Sequence, residues 1–133
     1  MREEKLAFSA VFATMIFFAV VTIMVIKTDA KSEVDLIPMQ ATAYCTGHTT
    51  ASGKRVAEGM CASKPEWIGC MAVVYERNSD GSIGKYIGTY DIEDTGSSKI
   101  RQGKVIDIFI DDYDACIQFG RKEVLVQIID GKG

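Results

Sequence analysis

The chain has 133 residues, a formal net charge of −3, one histidine, four cysteines and twelve glycines. Neutralising a phosphate backbone needs a broad basic face, and this acidic balance does not supply one, so no nucleic-acid partner is expected. The sequence shows no internal repeat and no low-complexity segment.

Taken in chain order, the first element is an apolar run. Residues 6–26 carry no charge, and only Ser9, Thr14 and Thr22 interrupt them. As a helix at ~1.5 Å per residue, this run reaches about 31 Å, close to the ~30 Å hydrocarbon core of a bilayer. A helix of a soluble core keeps a polar face, and this one has none. Cleaved signal peptides carry shorter apolar regions of ~7–15 residues and end in a small-residue site. The only candidate site, Thr28-Asp29-Ala30, is crowded by charge, so a retained transmembrane helix is expected.

Arg2 and Lys5 before the span balance Lys27 and Lys31 after it, so basic residues do not set the orientation. Everything foldable follows the span. The expected organisation is a cytoplasmic segment 1–5, a membrane helix 6–26, a polar stalk 27–37 and an extracellular domain 38–133. Cys45, Cys61, Cys70 and Cys116 all fall in that domain, which suits an oxidising exterior. Four thiols allow three pairings, which stay open, as does the alternative that some are small buried hydrophobes. With one histidine and no Cys-x-x-Cys spacing, no zinc site is expected, nor any other metal or cofactor.

The exported portion reads as strands at 39–44, 71–76, 83–92, 105–110 and 123–129, the last two richest in Val and Ile. Asn78-Ser79-Asp80-Gly81 marks a turn between the second and third. Gly84 and Gly88 within the third suggest bulges or close backbone approach. One short helix is expected over 112–119, capped by Asp111 or Asp112 and stopped by Gly120. Many short strands with one small helix point to a compact β-barrel.

Two aspartates stand out in this frame. Asp94-Thr95-Gly96 sits where a strand breaks into a Gly/Ser/Lys loop, and Asp107 interrupts the apolar run Val105-Ile106-Asp107-Ile108-Phe109-Ile110. A carboxylate in such a run either faces solvent by alternation or occupies a cleft where its burial is useful. Two carboxylates brought together by one loop are the minimum equipment for acid/base work on a glycosidic bond. The plainer reading of Asp94 is an Asx turn satisfying nearby amides.

Thr42-Ala43-Tyr44-Cys45, Thr50-Ala51-Ser52-Gly53-Lys54, Asp94-Thr95-Gly96, Ile106-Asp107-Ile108-Phe109 and Phe119-Gly120-Arg121-Lys122 occur in that order. Together they resemble the three-aspartate (3D) domain family, similar to the catalytic barrel of membrane-bound lytic transglycosylase A and to stationary-phase survival proteins. The resemblance covers about residues 39–129 and implies a small six-stranded double-psi β-barrel. It also implies cleavage of peptidoglycan glycan strands between N-acetylmuramic acid and N-acetylglucosamine, with Asp107 as acid/base and Asp94 beside it. Tyr44, Thr95, Gly96, Lys99 and Trp67 are then the candidate substrate contacts.

The chain departs from the family pattern in two places. Lys64 stands where a third aspartate is usual, with Glu66 or Asp91 as possible substitutes, and the loop 96–103 is about two residues longer. These departures keep a non-catalytic wall-binding module on the same barrel, or an extracellular interaction protein, as alternatives. Trp67 reads more readily as a core residue, Tyr44 equally as a core tyrosine with its hydroxyl at the surface, His48 as solvated, and Asp111, Asp112 and Asp114 as helix-capping rather than cation-binding. Ser52 has no partner histidine at a nucleophile's spacing.

Overall fold

A computed structural model describes residues 34–131, in which six strands close into a barrel. The strands are β1 (Ile37–Tyr44), β2 (Met60–Ala62), β3 (Met71–Arg77), β4 (Ile83–Asp94), β5 (Val105–Phe109) and β6 (Lys122–Ile129). Two short helices, α1 (Ser98–Arg101) and α2 (Tyr113–Phe119), and a 3-10 turn (Pro65–Trp67) complete the domain. Around the barrel the order is β1-β5-β2-β4-β3-β6. β1 and β5 pair in parallel, as do β2 and β4, and the remaining four pairings are antiparallel. This closed, mixed, six-stranded arrangement is compatible with a double-psi barrel.

Alternation along the strands fills the interior. Ala41, Cys61, Ile92, Ile106 and Ile108 turn inward with Ala72, Val74, Val124 and Val126, each at most 1% exposed. Ile92, Ile106 and Ile108 are the largest fully buried side chains, and truncating any of them to alanine would cost about 2–5 kcal/mol. By the same alternation, Val105, Asp107 and Phe109 turn to the outer face of β5. That face is not bare. Val105 packs with Ala62, Ile100 and Tyr44 in a second cluster, and Phe109 is buried under the edge of the Tyr44 ring at 5.3 Å between centroids. Asp107 therefore lies between two covered apolar positions on an internal strand of the barrel.

Several expectations shift. β2, only three residues long, and α1, only four and inside the expected loop 96–103, are too short to show a period in the sequence. The domain therefore has two helices rather than one. α1 forms because Ile100, its one apolar residue, closes over Ala62 and Val105. β1 begins at Ile37, inside the expected stalk, and β4 runs on to Asp94. Register shifts in the β3–β4 pair fall at Val74/Tyr75 and Tyr75/Arg77, close to the two strand glycines. A Cβ at Gly88 would meet the Tyr90 hydroxyl at 2.5 Å, and one at Gly84 would meet the Glu76 carbonyl oxygen at 2.9 Å, so close approach accounts for both. α2 is capped by Asp112, which accepts from the Asp114 amide at 3.1 Å, and it stops at Gly120 at φ 62°.

The expected membrane helix and most of the stalk lie outside the described residues. Among the described residues, no helix is long and apolar enough to cross a membrane.

Candidate active site

The two aspartates fall on one row that crosses four neighbouring strands. Thr42 of β1 is paired with Asp107 of β5, Asp107 with Ala62 of β2, and Ala62 with Asp94 of β4. At a strand spacing of ≈ 4.8 Å, the two aspartate Cα positions are about 9–10 Å apart. Between them stands Ala62, which is itself covered by Ile100. A bulge creates this register. Cys61 pairs with Ile92, but Ala62 pairs with Asp94, leaving Glu93 as an extra residue. Without it, Ala62 would face Glu93 and Asp94 would fall beyond the row.

Asp107 is half-buried, and its carboxylate accepts a hydrogen bond from the Thr42 hydroxyl at 2.8 Å. Burial pushes its pKa above the usual aspartate value, the Thr42 bond pulls against that rise, and the negative charge of Asp94 adds to it. Asp94 is held differently. Its Oδ1 accepts from the backbone amides of Ala51 at 3.0 Å and Thr95 at 2.9 Å. Asp94 thus satisfies the next amide and one from the turn 50–54 while sharing a row with Asp107.

The turn 50–54 acts as a clamp on this end of β4. It is closed by Thr50 N–H to the Lys54 carbonyl at 2.7 Å and Gly53 N–H to the Thr50 carbonyl at 3.0 Å. Gly53 adopts φ 90°, a conformation natural to glycine. From this turn the Ser52 amide reaches the Glu93 carbonyl at 3.0 Å, and the Lys54 ammonium pairs with the Glu93 carboxylate at 3.0 Å. Hydrogen bonding from Ser52 and Lys54 keeps Glu93, only 7% exposed, below the ordinary glutamate pKa. The roles of Ala51, Lys54 and Glu93 were not legible beforehand. Only the Ser-Gly-Lys string hinted at a turn.

Three buried side-chain oxygens among the described residues lack a partner, and all lie around this row: Tyr44 Oη, Ser63 Oγ and Thr95 Oγ1. Ser63 follows Ala62, and its amide donates to the Asp94 carbonyl at 3.0 Å. The Tyr44 phenol is pushed well above the ordinary tyrosine range, first by burial and then by the charges of Asp94 and Asp107. It is therefore a neutral hydroxyl held within the field of both carboxylates. Buried donors and acceptors are costly to leave unpaired, at about 1–3 kcal/mol each. Their concentration here marks polar strain packed around the row.

The other candidates divide. Thr95 and Gly96 adjoin Asp94, and a Cβ at Gly96 would press on Ile100 Cδ1 at 2.9 Å. Lys99 is exposed on α1, next to the Ile100 that covers Ala62. Trp67 is placed otherwise than a free sugar platform requires. Its ring packs against the barrel core, a Cβ at Gly103 would approach it at 3.3 Å, and the Lys64 ammonium lies 5.5 Å from its centroid. Lys64 is also paired with Glu66 at 3.3 Å, so Glu66 is engaged at the surface rather than with the aspartates. Asp91 is exposed on β4.

A cleft of about 410 Å³ opens beyond the ends of β1 and β5, where Cys45, exposed His48, Arg55, Phe109 and Asp111 line it. Phe109 shares its strand face with Asp107, but Thr42, Ala62, Asp94 and Asp107 do not line this cleft. No protein-family model matches the chain, and no curated protein matches it in sequence.

Proposed function

We propose that this domain is a peptidoglycan lytic enzyme of the three-aspartate type, built on a double-psi barrel and tethered outside the cell membrane by the N-terminal span. It cleaves the bond between N-acetylmuramic acid and N-acetylglucosamine. The observation that carries the reading is the Thr42–Asp107–Ala62–Asp94 row, with Asp107 buried enough to hold its proton more tightly than a free aspartate.

Asp107 donates that proton to the departing glycosidic oxygen. The resulting carboxylate then takes the proton of the muramic acid 6-hydroxyl as that oxygen closes onto C1, leaving a 1,6-anhydro end. Asp94, fixed by two amides, contributes negative charge opposite the oxocarbenium-like transition state. The Tyr44 and Thr95 hydroxyls, beside the row, supply hydrogen bonds that orient the sugar. No metal enters this chemistry.

A second reading, a wall-binding module without turnover, is favoured by Lys64, which occupies the third aspartate's place and is committed to Glu66 and Trp67. Dye-labelled sacculi separate the two. The wild-type full chain releases soluble dye if it is an enzyme, whereas Asp94→Asn and Asp107→Asn sediment with the sacculi and release little. Sedimentation of the wild type without release would establish the binding module. Failure to bind sacculi at all would favour an extracellular interaction protein.

A further inference from the structure

Cys45 directly follows β1 and lines the cleft beside Phe109 and Asp111. Cys116 sits in the middle of α2, buried, on a helix that packs against β1. The chain entering α2 is tied to the end of β1, since the Ile110 amide donates to the Tyr44 carbonyl at 2.9 Å. The first turn of the helix is fixed by the Asp112 cap, and the Cys116 amide closes onto the Asp112 carbonyl at 2.9 Å. These constraints place the Cys116 side of α2 against the end of β1 that carries Cys45, and the Cys116 thiol feels that of Cys45.

The other two cysteines are placed for a different life. Cys61 is 0% exposed in the barrel core, and burial, followed by Asp91, Asp107 and Glu93, pushes its thiol far up, leaving it un-ionised and inert. Cys70 packs against the core just before β3.

We propose that Cys45 and Cys116 form a disulfide, installed by a disulfide-bearing oxidant, that pins α2 to the end of β1 at the wall of the cleft. Cys45, reachable from the cleft, attacks the donor disulfide as its thiolate. One donor sulfur leaves as a thiol and a mixed disulfide forms on Cys45. Cys116 then loses its proton and attacks Cys45 Sγ, forming the Cys45–Cys116 bond and releasing the second donor thiol. Two electrons and two protons pass to the donor, which is reduced to thiols. The loop so closed encompasses β2 to β5 and both Asp94 and Asp107. A cross-link of that span restricts the unfolded chain strongly. The proposal does not depend on what Asp107 does.

The test uses the full chain, purified with all thiols reduced, then exposed to oxidised glutathione, alkylated under denaturing conditions and mapped without reduction. The expected result is one linked pair of peptides containing Cys45 and Cys116, two hydrogens lighter than their sum. The oxidised protein should melt on the order of 10 °C above the reduced form, a gain that dithiothreitol abolishes. In Cys116→Ser, Cys45 should be recovered as a mixed disulfide with glutathione, and melting should not respond to dithiothreitol. Recovery of Cys45 and Cys116 as alkylated thiols from the oxidised wild type, or linkage of either to Cys61 or Cys70, would overturn the proposal.

Discussion

Thr42 and Asp107 face each other across the parallel β1–β5 pair, and the threonine hydroxyl donates to the aspartate carboxylate at 2.8 Å. The bond stabilises the charged form of Asp107 and so moderates the upward push of burial and Asp94. Thr42→Val keeps the shape and removes the donor. The alkaline limb of the pH–activity profile, where the acid loses its proton, should move up by about one pH unit. A limb that stays in place or moves down would show that Thr42 does not tune this group.

Asp107→Asn has a stability signature separate from activity. The folded-state pKa of Asp107 is raised, so its charged form weakens the fold above that pKa, and the penalty disappears as pH falls through it. The asparagine variant should melt a few degrees higher than the wild type at pH 7. The gain should shrink on acidification and vanish below about pH 3.9, where the aspartate is protonated in both states. Thermal melts between pH 3 and 8 decide the matter, and lower stability of the variant at pH 7 would contradict it.

Glu93 gives the opposite sign. Its folded pKa is depressed by Ser52 and Lys54, so its stabilisation is present at neutral pH and lost as pH falls through the folded pKa. Lys54 is 63% exposed, so solvent screening holds the effect of Lys54→Met to about 1 kcal/mol or less. The variant should melt lower at pH 7, and the difference should close in acid. Hydrogen exchange at the Ala51 and Ser52 amides should quicken, because the clamp on Asp94 loosens. Unchanged exchange there would show that the ion pair does not hold the turn.

Ser63 is 0% exposed with no partner for its hydroxyl. Ser63→Ala removes an unsatisfied group at little cost in packing and should raise stability by about 1 kcal/mol. A clear drop in melting temperature would mean that the hydroxyl makes a structural bond after all.

Much of this site was readable from the chain. Asp107 declares itself because a charge in a Val/Ile/Phe run needs a reason, and Asp94 because Asp-Thr-Gly breaks a strand. That the two come together was expected, but the row that joins them was not readable, since it depends on β2, three residues that carry no period, and on the Glu93 bulge, which moves Asp94 one position in register. Trp67 was ambiguous by composition. Only packing against Lys64 and Gly103 shows how fully its ring is occupied. The helix at Asp112 was legible because capping and stop signals are local, whereas α1 depends on the tertiary contact of Ile100.

The central claim, that Asp107 breaks a glycosidic bond in peptidoglycan, is tested most directly by the mass of the muropeptides released from purified walls by the full chain. The account predicts 1,6-anhydro ends from the wild type and none from Asp107→Asn, although that variant still sediments with the walls. Release of the same products by Asp107→Asn would contradict it, and products heavier by one water from the wild type would contradict closure of the 6-hydroxyl onto C1.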